Sequence, residues 1–350
     1  MHAHAHSHSH PAIDIHAHYY PETFLRLLEK KGGPFAAGCD WSNPKGPRMK
    51  VGSYLSIPLD RQFIDLDARL EAMEAQKVKV QVLSLTLPMV YWADRDLTQQ
   101  LCWAFNDALV LAHEKHPSRL LGFAVLPMHE PDLAIKEAER VAKLPGIRGV
   151  YLATSILGKE LSDESFFPVY ERLEALGLPI FLHPLWVIGA AERLGRHRLD
   201  NALGNPFDTA VAASYLILDG VLDRFPKLEI CLPHAGGALM SVIGRLQHCW
   251  STQPDLVEKR PHGPLEYLRR FYYDTVAHSP SLLAFLIDEV GADRVMLGSD
   301  FCYAMGYERP VEVVTGHPRI DADRQALILG GNAARLLKLG GLQSGSSKSK

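Results

Sequence analysis

The sequence predicts a (β/α)₈ TIM barrel with long loops after strands 1 and 5. Eight short apolar runs alternate with amphipathic helical stretches along the 350 residues. The runs are nearly continuous in Val, Ile, Leu and Phe, as parallel strands buried on both faces require. Residues able to bind a metal stand at the ends of several runs, where barrel active sites are built. A doubly wound open sheet is the competing architecture, but no GxGxxG follows the first run, which weakens its nucleotide-binding form.

The first run, Ala12–His18, ends in His16-Ala17-His18. Side chains two apart on a strand share a face, so both imidazoles can converge on one point at the barrel mouth. The segment Gly32–Asp60, rich in Gly, Pro and Ser, follows this strand and a short helix and reads as a lid or binding loop. Leu66–Ala75 (LDARLEAMEA) places Leu66, Leu70 and Met73 on one helical face. The next runs are Val80–Thr86, Leu121–Pro127 and Ile147–Thr154, with the helical stretch Leu133–Leu144 before the last of them.

Phe166–Leu176 is helical by the same period, and the fifth run, Pro179–His183, ends on His183-Pro184. A histidine directly after Ile-Phe-Leu needs a partner, because burying it unpaired costs about 1–3 kcal/mol. Taken alone, it reads as a hydrogen-bonded core histidine. The second long loop, Trp186–Asp208, follows; Trp186 reads equally as a pocket wall and as a core aromatic. The sixth run, Leu228–Pro233, leads into His234 in LPHAGG, where Gly236 and Gly237 permit close approach of backbone or substrate. The seventh, Phe271–Val276, contains Asp274, either a partner for a polar neighbour or a capping carboxylate. After the helical stretch Ser281–Val290, the eighth run, Arg294–Ser299, ends at Asp300, whose ordinary alternative is a helix cap. Cys302, two residues on, reads mainly as a small buried hydrophobe.

Composition narrows the function classes. The chain is 47% hydrophobic and 22% charged, with a net charge of −3 and no Lys/Arg run, so nothing suggests a nucleic-acid partner. Five cysteines, an odd number without a CxxC pair, argue against a disulfide framework and for a reducing cytoplasm. No apolar run reaches the roughly 18 residues of a membrane span. Residues 1–11, with histidine at every even position through His10, read as a disordered His-rich tail or a tag; 12–338 form the barrel domain and 339–350 a flexible tail.

His16, His18, His183, His234 and Asp300 thus all fall at predicted strand ends. Three imidazoles and a carboxylate suit Zn²⁺ with a position left for water, whose pKa the ion can lower to about 7.

IDIHAHYYP, FLHP, CLPHAGG and MLGSD occur in this order, with VIGRLQHCW and YYDTVAHSP between the last two. The set resembles the amidohydrolase superfamily, and more closely its aminocarboxymuconate-semialdehyde decarboxylase-like branch, from about Ala12 to Leu337. The resemblance implies a barrel holding one divalent ion per chain, Zn²⁺ or, as in some relatives, Mn²⁺. It assigns His16, His18, His183 and Asp300 to the metal and His234 to acid/base work. Arg245 matches an arginine that reaches a substrate carboxylate across a dimer interface. It follows His234 by 11 residues in a helical stretch, a rise of about 16 Å, which also favours service to a partner's site in a homodimer. This sequence departs from the branch at Ile57, where the decarboxylase has a second carboxylate-binding arginine; Arg48, Lys50 and Arg61 are the replacement candidates. It departs again at Phe301-Cys302, where Tyr-Pro is common.

The expected function is metal-dependent, non-oxidative decarboxylation of a small aromatic or unsaturated carboxylic acid, with His234 as the proton carrier and Asp300 as a ligand able to act as base. A metal-dependent hydrolase or hydratase, acting on a lactone, ester, amide or C=C bond, suits the same ligands. A non-catalytic metal-binding protein is the third reading, and the coincidence of His234 with the four ligands opposes it.

Overall fold

The structure, a computed structural model, describes residues 11–53, 55–260 and 262–340; the histidine repeat and the last ten residues lie outside the described residues. Eight strands form one sheet in sequence order: β1 (Ile13–His18), β2 (Val80–Ser84), β3 (Leu120–Val125), β4 (Ile147–Ala153), β5 (Ile180–His183), β6 (Ile230–Leu232), β7 (Phe271–Asp274) and β8 (Val295–Met296). Every paired neighbour runs parallel. The chain beyond β8 closes the ring on β1: Ile15 N donates to Leu297 O at 3.0 Å, Asp300 N to His16 O at 2.9 Å, and Ala17 bridges Phe301 in parallel. The predicted barrel is therefore present; seven of the eight predicted runs contain its strands, and the run Leu121–Pro127 misses only Leu120 of β3.

Helices separate the strands. Leu66–Ala75 is helical with Asp65 as its N-cap, the carboxylate accepting from Asp67 N and Ala68 N. Helices at Pro131–Val141, Phe167–Leu176 and Pro280–Val290 match the predicted stretches to within three residues, and Arg95–Lys115 and Asn205–Leu218 complete the outer layer. Among the described residues no helix is long and apolar enough to cross a membrane.

Two elements differ from expectation. Segment 32–60 is not simply a loop: Ala37–Asp40, Arg48–Val51 and Leu55–Pro58 form an antiparallel meander. Its four-residue strands bury Cys39, Met49, Val51 and Leu55 while exposing their other face. In helix Leu66–Ala75 the inner face is centred on Ala68, Arg69 and Met73, with Leu66 and Leu70 only half-buried. Arg69 is fully buried because its guanidinium has partners there. Nη1 donates to Gln81 Oε1 at 2.7 Å, and Nη2 to Gln62 O at 3.0 Å and to the carbonyl of His18.

Candidate metal centre

The floor of the barrel is aromatic and buried. Tyr151 and Phe181 lie parallel with ring centres 5.4 Å apart, Phe123 stacks on Phe181 at 5.7 Å, and all three are buried. Above them sits the cluster the sequence pointed to. β1 pairs with β2 through a one-residue bulge between Asp14 and Ala17, a device that re-aims side chains near sites. Asp14, buried just below, accepts from Gln81 Nε2 at 2.9 Å, Ser299 N at 3.0 Å and Ser299 Oγ at 2.5 Å, which fixes β1 against the segment carrying Asp300.

His16, His18 and His183 end their strands with rings 5.0–5.4 Å apart. His234 follows β6, with its ring 5.3 Å from those of His16 and of His183. Asp300 Oδ1 lies 2.9 Å from His18 Nε2 and 3.3 Å from His16 Nε2, and Oδ2 lies 3.9 Å from His234 Nε2. His16, His183, His234 and Asp300 each offer a ligand atom within 4.8 Å of the others. That set includes His234 and leaves out His18, which joins it through the 2.9 Å contact with Asp300 Oδ1.

Hydrogen bonds sort the four imidazoles. His16 Nδ1 donates to Asp274 Oδ2 at 2.6 Å. His183 Nδ1 donates to Pro184 O at 2.9 Å, with Thr86 Oγ1 at 3.1 Å. His18 Nδ1 lies 3.3 Å from Ser84 Oγ, whose own proton goes to Ala17 O, so the serine accepts. In these three each Nδ1 therefore carries its hydrogen, which makes Nε2 the atom offered to an ion, the arrangement metal-binding histidines use. His234 differs: its buried Nδ1 has no partner, and 13% of its side chain remains exposed.

The titration pattern carries the same message. Burial pulls His16 down, but the carboxylates of Asp300 and Asp274 outweigh it and hold the imidazole up at about 10. Burial, together with the charge on His16, pushes His18 down to about 4; burial also lowers His183 well below its usual value and lowers His234. Asp300, though desolvated, is held well below the ordinary carboxylate range by His16 and His18. His18 Nε2 thus faces a carboxylate oxygen at 2.9 Å, a contact that the Nδ1–H tautomer leaves without a proton. One proton on His16 does not serve both contacts. The buried His16 Nε2 has no hydrogen-bond partner either. This donor set fits a divalent ion.

The remaining predicted residues are more scattered. Arg245 lies in helix Leu239–Thr252, exposed and without an ion pair among the described residues. Trp186 follows β5, half-buried against the core. Ile57 is half-buried in the meander; Arg48 is exposed and bonds Ser56 Oγ at 3.2 Å, Lys50 is exposed, and Arg61 pairs with Asp65 at 2.7 Å. Cys302 lies beside Arg69, its Sγ 3.3 Å from Nη2, and burial pushes its thiol up to about 12. Sequence reasoning left the role of Asp274 open and did not single out Ser84 or Thr86. Those two also close an apolar run, the signal that marked the histidines.

A parallel barrel with imidazoles and an aspartate converging at its C-terminal mouth defines a metal-dependent enzyme of the barrel-hydrolase and lyase class. The amidohydrolase family profile matches residues 13–339, and the chain belongs to that family, in its aminocarboxymuconate-semialdehyde decarboxylase-like branch. It is 31% identical over 330 residues, 93% of this chain and 91% of the relative, to 2-amino-3-carboxymuconate-6-semialdehyde decarboxylase of Dictyostelium discoideum. Among solved structures, the IDCase of Metarhizium anisopliae superposes with a TM-score of 0.83 at 27% identity, covering 94% of this chain and 97% of its own. A dihydroxybenzoic acid decarboxylase from Polaromonas, solved with manganese and the inhibitor 2-nitroresorcinol, superposes at 0.77 with 25% identity, covering 94% and 97%.

Proposed function

We propose that the chain is a metal-dependent, non-oxidative decarboxylase of an aromatic or unsaturated carboxylic acid. In this reading His16, His18, His183 and Asp300 hold one divalent ion and His234 carries the proton. The observation that carries it is the division among the imidazoles: three are fixed at Nδ1 with Nε2 free, and the fourth is not fixed. Zn²⁺ suits the nitrogen and oxygen donors; Mn²⁺, found in the Polaromonas relative, is the alternative. When bound, the ion supplies positive charge beside the substrate's oxygens, which stabilises the electrons left behind as CO₂ departs.

The protein's own groups do the rest. The C–CO₂⁻ bond breaks, its electron pair stays on carbon, and a proton from His234 quenches it. Burial lowers the His234 pKa, which makes its protonated form a ready donor. Trp186 forms a wall of the substrate pocket. Arg245, supplied by the partner of a homodimer, clamps a carboxylate. Five free cysteines agree with a reducing cytoplasm.

The apolar Ile57 favours a second reading, a hydrolase or hydratase acting through the same ligands. The test is a panel of aromatic and unsaturated acids offered to metal-loaded protein. Release of CO₂ supports the decarboxylase; addition of water without CO₂ supports the second reading.

A further inference from the structure

Asp274 is a fully buried carboxylate that the proton transfer does not use, and its two oxygens divide their work. Oδ2 accepts from His16 Nδ1 at 2.6 Å and from the backbone N–H of His234 at 3.0 Å. Oδ1 accepts from the N–H groups of Ala235 at 2.8 Å and Val276 at 3.0 Å. His234 and Ala235 both adopt left-handed backbone, at φ 53° and 55°. For residues with a Cβ that conformation costs about 1–2 kcal/mol each, so something must hold it. The space around the carboxylate is also closely fitted. A Cβ on Gly298 would lie 2.8 Å from Asp274 Cβ and 3.1 Å from His16 Cβ, so only glycine lets the three backbones approach this closely.

We propose that Asp274 is a positioning residue coupling the two halves of the site through one atom, Oδ2. By accepting from His16 Nδ1 it keeps the His16 Nε2 lone pair available to the ion. By accepting from His234 N, with Oδ1 on Ala235 N, it holds the strained turn that points the His234 imidazole at the same centre. The coupling rests on the assignment of His16 to the metal and His234 to the proton. Its consequence is that a change at Asp274 disturbs metal affinity and the His234 turn together.

The test uses the full chain with Asp274→Ala. Three quantities are read: metal affinity by chelator competition, amide hydrogen exchange at His234 and Ala235, and the His16 tautomer from ¹⁵N shifts. We expect affinity to fall about 10–100-fold. Exchange at the two amides should quicken at least about tenfold while β3 amides keep their protection. His16 should lose its fixed Nδ1–H signature, a change that a merely structural role would not produce. Should that variant not fold, Gly298→Ala, which displaces the same carboxylate and keeps its charge, should give both effects in smaller measure. Unchanged metal affinity overturns the proposal, and so does weakened affinity with unchanged exchange at His234 and Ala235. If the parent chain binds metal but releases no CO₂ from any acid, the functional reading fails while these outcomes still decide the role of Asp274.

Discussion

At the residue scale, the site crowds imidazole nitrogens around one carboxylate. His18 Nε2, His16 Nε2 and both oxygens of Asp300 lie within 3.9 Å of a neighbour in the cluster, and a divalent ion would replace the proton that His16 otherwise holds. His16→Ala, His183→Ala or Asp300→Ala should each lose metal, measured by metal content after dialysis. His234→Asn should keep its metal and lose about 10²–10⁴-fold in turnover; loss of metal there would make His234 a ligand. Metal uptake should also be linked to pH. Without metal His16 titrates at about 10 and is protonated at neutrality, whereas His18 at about 4 is not. Binding at pH 7.5 should therefore release about one proton, and affinity should rise about tenfold per pH unit below 10. Calorimetry in buffers of different ionisation heat measures the release; no release would contradict the assignment of His16. The clustered residues themselves were legible, because a polar residue closing an apolar run needs a reason. Their orienting partners were not, since Asp274 lies 258 residues from His16 and meets it only once the barrel closes.

At the scale of elements, the strands were readable because each is buried on both faces, which makes its sequence nearly continuous in apolar residues. The meander was hidden for the opposite reason: AGCD, RMKV and LSIP are four residues each, and half of each faces water. Helix Leu66–Ala75 shows how a strong pattern can still be turned by polar satisfaction. Leu66 and Leu70 suggested the inner face, but Arg69 takes it, because its guanidinium ties Gln81, Gln62 O and the carbonyl of His18 at the end of β1 into one network. Arg69→Ala would leave Gln81 Oε1 buried without a donor and that carbonyl with only the weak Cys302 thiol at 3.8 Å. A loss of about 3 kcal/mol is expected, since each unsatisfied group costs about 1–3 kcal/mol. The thermal midpoint should fall by several degrees in a melting experiment; an unchanged midpoint would mean that water replaces the guanidinium.

At the scale of the whole molecule, the barrel gathers residues from four strand ends that are up to 284 positions apart, His16 to Asp300, into one largely buried cluster. Arg245 is exposed on helix Leu239–Thr252. If it serves a partner, mixing inactive His234→Asn chains with inactive Arg245→Ala chains should restore activity. Each mixed dimer would hold one site with both lesions and one with neither, so about half of its sites should work. Exchange of subunits without any return of activity would show that Arg245 does not act in trans. Barrel and metal cluster followed from local pattern. Substrate and assembly did not, because they depend on the rim, where short strands and exposed side chains leave weak patterns. The most direct test of the whole account is CO₂ release from a panel of aromatic and unsaturated acids, measured for the same protein stripped of metal and then reloaded. The account predicts CO₂ from at least one acid with the reloaded protein and almost none with the stripped protein. Equal release from both would contradict it.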